Sequence, residues 1–91
     1  MDVLLKWAVD KTGASRFAVD AVLTAMQDGV ERSDEQIANI VRRRDGRPYA
    51  PDTIRHARLA LCLGTRLKWT GKVTKTRYGK PTQTWALREK A

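Results

Sequence analysis

Apolar residues recur at helical spacing through the first two thirds of the chain and change to a spacing of two in the last third. Asp2 is placed to cap a first helix running to about residue 11. Val3, Leu4, Trp7 and Ala8 follow the helical period there, and Gly13 is placed to stop it. Ser15 precedes a second run, in which Phe17, Ala18, Ala21, Val22, Ala25 and Met26 fall on one helical face ahead of Gly29. Ser33-Asp34-Glu35-Gln36 has the form of a capping box, with Ser33 as N-cap and Gln36 three residues on. Ile37, Ile40 and Val41 give this third helix a narrow apolar face, and Arg42, Arg43 and Arg44 suit the negative end of its dipole. Residues 45–51, Asp-Gly-Arg-Pro-Tyr-Ala-Pro, read as a turn. A fourth helix opens at Pro51 or Asp52, where a proline in the first turn loses no hydrogen bond. It turns Ile54, Ala57 and Leu61 inward and stops by Gly64.

Beyond Gly64 the pattern favours strands at 67–69 and 82–87. In the second, Thr82, Thr84 and Ala86 share one face and Gln83, Trp85 and Leu87 the other. Residues 70–81 lie between them as a long basic tip or arm, with Gly79 and Pro81 marking a turn at 78–81. The expected fold class is mainly α with a small antiparallel β-hairpin, an α+β domain. Ninety-one residues make a single compact domain, with 1–13 as an N-terminal accessory helix and 14–91 as the main body.

Composition narrows the function. The hydrophobic fraction of 42% is that of a folded protein. Cys62 is the only cysteine and cannot form an internal disulfide. No apolar run approaches the ~18 residues of a membrane span, and the start of the chain is too short and interrupted for a signal peptide. The expectation is a cytoplasmic protein with no membrane partner. One His and one Cys give no metal constellation. No nucleophile motif or phosphate-cradling glycine loop is present. The reading is of a protein that is not an enzyme and carries no cofactor.

Charge changes the picture most. Residues 1–41 hold seven acids and four bases, a net of −3, while residues 42–91 hold fourteen bases and three acids, a net of +11. Clustered Lys and Arg attract phosphates and release their counterions, so a polyanionic partner is expected.

Three helices followed by a basic hairpin resemble the winged helix-turn-helix family of DNA-binding domains, in the form seen in bacteria and phages. The resemblance covers roughly residues 15–87. Ser33-Asp34-Glu35-Gln36-Ile37-Ala38 looks like the start of the family's support helix. Ala50-Pro51-Asp52-Thr53-Ile54-Arg55 looks like the entry to its recognition helix, and residues 75–87 look like a wing, a basic glycine turn leading into a strand with a core-facing aromatic. The chain departs from the pattern in a longer turn between support and recognition helices, and in the apolar run Leu59-Ala60-Leu61-Cys62-Leu63.

The resemblance implies sequence-specific binding of double-stranded DNA, with a recognition helix at about 52–63 in the major groove and a wing at about 70–81 on the backbone or minor groove. With Ile54 at the centre of the buried stripe, Arg55 falls on the flank and His56 and Leu59 outward. Arg55 would bond a guanine edge, His56 a base or a phosphate, and Thr53 a phosphate. Asp52 either serves the helix N-terminus or accepts from a cytosine amino group. Arg58 either meets an acid from a core-packed stem or reaches DNA. Arg42, Arg43, Arg44 and Arg47 flank the turn before the recognition helix, where at least one phosphate contact is expected. Tyr49 either bonds a phosphate or covers the core edge. Lys72, Lys75, Arg77 and Lys80 on the wing are expected on phosphates or in the minor groove. Trp69 and Trp85 are expected in the core or paired across the hairpin.

The role favoured by this reading is a small transcriptional regulator, nucleoid-associated or, if phage-encoded, in the host cytoplasm. Two alternatives stand beside it. One is a DNA-architectural or recombination accessory factor, since small basic winged helices resemble phage excisionases. The other is a protein-interaction module. The apolar face of Val3, Leu4 and Trp7 would then bind a partner or form a homodimer through the N-terminal helix.

Overall fold

The computed structural model describes residues 2–88. The ends of the two expected segments, 1–13 and 14–91, therefore reach outside the described residues. Among the described residues the chain forms α1 (Val3–Thr12), α2 (Arg16–Ala25), α3 (Asp34–Asp45), α4 (Pro51–Leu63), β1 (Leu67–Lys75) and β2 (Pro81–Leu87). The fold is mostly helical α+β, closed by one antiparallel hairpin.

Each of the first three helices starts at a side-chain cap. Asp2 accepts the Leu5 N–H at 2.7 Å, and Ser15 accepts that of Ala18 at 3.4 Å. The capping box of α3 is complete: Ser33 accepts the Gln36 N–H at 3.3 Å while Gln36 Oε1 accepts the Ser33 N–H at 2.9 Å. α4 starts differently. Its N-cap is Ala50, which has no side chain to offer, and Pro51 stands in the first turn.

The core is built from all four helices and the start of β1. Leu5, Ala8 and Val9 meet Val19, Val22, Ala25 and Met26 of the α2 segment, Ile37 and Val41 of α3, Ile54, Ala57, Ala60 and Leu61 of α4, and Leu67. The apolar stripes read in α1 and α2 are buried only in part. In α1 the buried face is Leu5, Ala8 and Val9, and the stripe of Val3, Leu4 and Trp7 faces solvent. The reason lies at the end of α4. A Cβ on Gly64 would sit 2.8 Å from Leu5 Cδ1, so the two helices approach too closely to seat an indole there. In α2 the buried set is Ala18, Val19, Val22 and Ala25, continued by Met26. Phe17 stands 74% exposed, and Val19 is buried in its stead. α1 is therefore part of the single core rather than an addition to it.

The hairpin also differs from expectation. β1 does not end at Trp69 but continues to Lys75, so the tip is short, residues 76–80. Pairing runs Leu67↔Leu87, Lys68↔Ala86 and Trp69↔Trp85, and resumes at Val73↔Gln83, Thr74↔Thr82 and Lys75↔Pro81. The extra residues between Trp69 and Val73 bulge out of the ladder. Gly71 holds a φ of 81° there, in the region that a side chain disfavours. The Thr70 hydroxyl bonds Thr84 across the bulge, so the strand recovers its partner. One further pairing was invisible in the sequence. Arg32 bridges β2 at Trp85, exchanging backbone hydrogen bonds of 2.9 and 2.8 Å, and so adds a one-residue third rung between α2 and α3.

Candidate nucleic-acid interface

α4 presents the outward face that its helical phase demands. Arg55 and His56 are exposed, Leu59 keeps 39% of its surface in solvent, and Thr53 is half-buried near the helix start. Arg55 pairs with Asp52 one turn back, at 3.2 Å, with both side chains largely in water. Such an exposed pair is weak and costs little to open. It pre-positions the guanidinium without consuming it.

Arg58 is engaged inside the protein. Its Nε and Nη2 each donate to a different oxygen of Asp34 at 2.9 Å, and the guanidinium lies 4.1 Å over the Trp85 ring. Burial acts most strongly against the charge, but the hydrogen bonds to Asp34, the attraction of its carboxylate and a smaller contribution from Cys62 together outweigh it, so Arg58 is held even more firmly protonated than usual. Of the two roles open to Arg58, it takes the acid. It ties the first turn of α3 to α4 and to β2. Cys62 lies one turn on, half-buried, and burial pushes its thiol up despite the nearby Arg58.

The hairpin tip rests on the start of α3. Glu35 Oε1 accepts the Arg77 N–H at 3.2 Å, and Glu35 Oε2 lies 3.7 Å from Arg77 Nε. Lys72 reaches Glu31 at 3.4 Å. Two of the four basic side chains expected on phosphates are thus paired within the protein, while Lys75 and Lys80 are exposed and unpaired among the described residues. A cleft of about 370 Å³ lies under the tip, walled by Ala38, Asn39, Pro51 and Tyr78 and by the carboxylates of Asp34 and Glu35.

At the other end of α3, Arg42, Arg43, Arg44 and Arg47 are all exposed and make no ion pair among the described residues. Tyr49 is half-buried and packs on the core cluster, the structural of its two readings.

Four of the six ion pairs among the described residues join an acid from residues 1–41 to a base from 42–91: Asp2 with Arg66, Glu31 with Lys72, Asp34 with Arg58 and Glu35 with Arg77. Part of the charge asymmetry along the chain is therefore used to fold it. None of these pairs has a local sequence signal, since the partners are 24 to 64 residues apart in the hydrogen-bonded cases that link Arg58, Arg77 and Arg66. Among the described residues no group of three or more His, Cys, Asp or Glu could hold a metal ion, and no helix is long and apolar enough to cross a membrane.

No family model, curated protein or solved structure was found to match this chain.

Proposed function

We propose that the chain is a winged helix-turn-helix domain that binds double-stranded DNA in a sequence-specific way and serves as a small transcriptional regulator in the cytoplasm. α4 enters the major groove with Arg55 and His56 toward the bases, and the hairpin acts as the wing. The element order supports this reading: α2, the rung at Arg32, α3, α4 and the hairpin follow one another as in that architecture.

One observation carries the proposal. Six exposed basic side chains, Arg42, Arg43, Arg44, Arg47, Lys75 and Lys80, have no carboxylate partner among the described residues, and they lie on the two segments that flank α4 in the chain. These six side chains are left to solvent. Phosphates on either side of a groove-bound helix would neutralise them.

A mobility-shift titration at several salt concentrations tests this. With about 4–8 phosphates neutralised, the log–log slope of affinity against salt is expected near −4 to −7. Arg55→Ala should lose about 1–3 kcal/mol on a selected site and little on random duplex. A flat slope, or no duplex binding at low salt, would sink the reading. Equal losses on selected and random duplexes would show that α4 does not read the bases. Strong bending of the bound duplex would favour the architectural alternative.

A second reading rests on α1. Val3, Leu4 and Trp7 form an exposed apolar face opposite the core, the surface through which a homodimer or a protein partner would be held. Sedimentation at micromolar concentration, free and on DNA, decides it; a monomer in both removes the dimer.

A further inference from the structure

The hairpin carries more exposed aromatic surface than a phosphate-binding arm requires. Trp69 is 55% exposed, Val73 62% and Tyr78, at the tip, 79%. The two hairpin tryptophans pair across the ladder, as one of the two expectations had it, but only Trp85 is also covered, by Arg58. The register shows how the exposed residues come together. Trp69 pairs with Trp85 and Val73 with Gln83, two positions apart on β2 and so on one face of the sheet. The bulge takes up two extra residues, so Trp69 and Val73, four apart on β1, stand opposite positions only two apart on β2. Lys75, paired with Pro81, continues that row. From the Trp69 rung to the Lys75 rung the row is ~13 Å long, and Tyr78 and Lys80 lie just beyond it in the tip. The chain from Arg66 to Lys80 holds six bases and no acid.

A duplex has little use for such a row, because the flat faces of its bases are already stacked on one another. A single strand offers those faces freely, and stacking on exposed rings beside a basic track is how proteins hold single strands without reading their sequence. We propose that this face of the hairpin is a binding site for single-stranded DNA, separate from the outward face of α4. Bases stack on Trp69 and Tyr78, Val73 packs against a sugar between them, and Lys75 and Lys80 neutralise the backbone. This activity goes beyond the duplex reading and does not require it, though both draw on Lys75 and Lys80, so duplex and single strand would compete for those two side chains.

The test uses the full chain and a dT oligonucleotide of about 15 nucleotides, near the upper end of such site sizes. Tryptophan emission is followed during titration. Binding is expected to quench it, and Trp69→Phe should lower the quench, leaving Trp85, its cross-strand partner, as the weaker reporter because Arg58 covers its ring. Trp69→Ala and Tyr78→Ala should each weaken dT binding five- to a hundredfold and change duplex binding less than twofold. Tyr78→Ala removes a side chain at the exposed tip, so it decides the matter even where Trp69→Ala disturbs the hairpin. Absence of dT binding at low salt would overturn the proposal. So would dT binding indifferent to both alanine variants, which would be electrostatic attraction alone. Equal losses on dT and duplex would merge the face with the duplex site, and tighter binding of an oligo-rU of the same length would reassign the ligand to RNA.

Discussion

Asp28 accepts Nη1 and Nη2 of Arg32 at 2.8 Å each, and the same Nη1 donates to the Ala25 carbonyl at 3.1 Å. The pair thus holds the end of α2 and fixes the residue whose backbone bridges Trp85. The Arg32 guanidinium first, and the Val30 N–H second, lower the Asp28 carboxyl from 3.8 to about 2. A carboxyl that is more acidic in the folded state than in the unfolded chain stabilises the fold above its unfolded value, and that stabilisation is lost as pH falls through the folded value. Asp28→Asn should therefore melt below the parent protein at pH 7, with the gap closing between about pH 4 and pH 2. Thermal melts of both proteins across that range check it, and a gap independent of pH would contradict the pairing. At this scale legibility followed sequence distance. The Ser33–Gln36 box was readable because its two halves are one turn apart. The bond from Arg58 to Asp34 was not, because 24 residues separate them and nothing local marks either as the other's partner.

Two residues just past the end of α4 close it in an uncommon way. Thr65 takes the left-handed conformation, φ 60°, while Gly64 before it keeps an ordinary negative φ. The Arg66 N–H reaches back to the Leu61 carbonyl at 2.8 Å and closes the helix around Thr65. Gly64 is glycine for space: a methyl group there would meet the Leu5 backbone as well as its side chain. Two substitutions should consequently act in opposite directions. Gly64→Ala should push α1 off α4 and cost about 1–3 kcal/mol. Thr65→Gly should relieve left-handed strain and gain about 0.5 kcal/mol after the extra freedom of the unfolded chain is subtracted. Urea denaturation measures both. The same scale shows why helices were easier to read than the hairpin. Asp2, Ser15, Ser33, Pro51 and Gly64 mark helix ends in the sequence. The true length of β1 depends on a bulge at Gly71, whose residues look like loop until Thr70 finds Thr84 across the ladder.

For the whole molecule, α1 is the element whose importance the sequence concealed. Val3, Leu4 and Trp7 draw the eye, but Leu5, Ala8 and Val9 enter the core, and Asp2 joins Arg66 at the entry to the hairpin. Removing residues 1–12 takes three side chains from a small core at a cost of about 4–6 kcal/mol, against a total stability of about 5–15 kcal/mol for a domain. The shortened chain should lose its cooperative transition or melt at least about 15 °C lower; calorimetry decides, and an unchanged transition would show α1 to be dispensable. The ion pairs that close the hairpin onto α3 have a further consequence. Should the wing meet a phosphate backbone, Lys72 and Arg77 would arrive already paired, each trading a carboxylate for a phosphate. Glu31 and Glu35, newly bare, would gather cations from solution as the DNA shed its own. The ions set free would then number fewer than the phosphates touched, and a salt titration would undercount the true contacts of the complex.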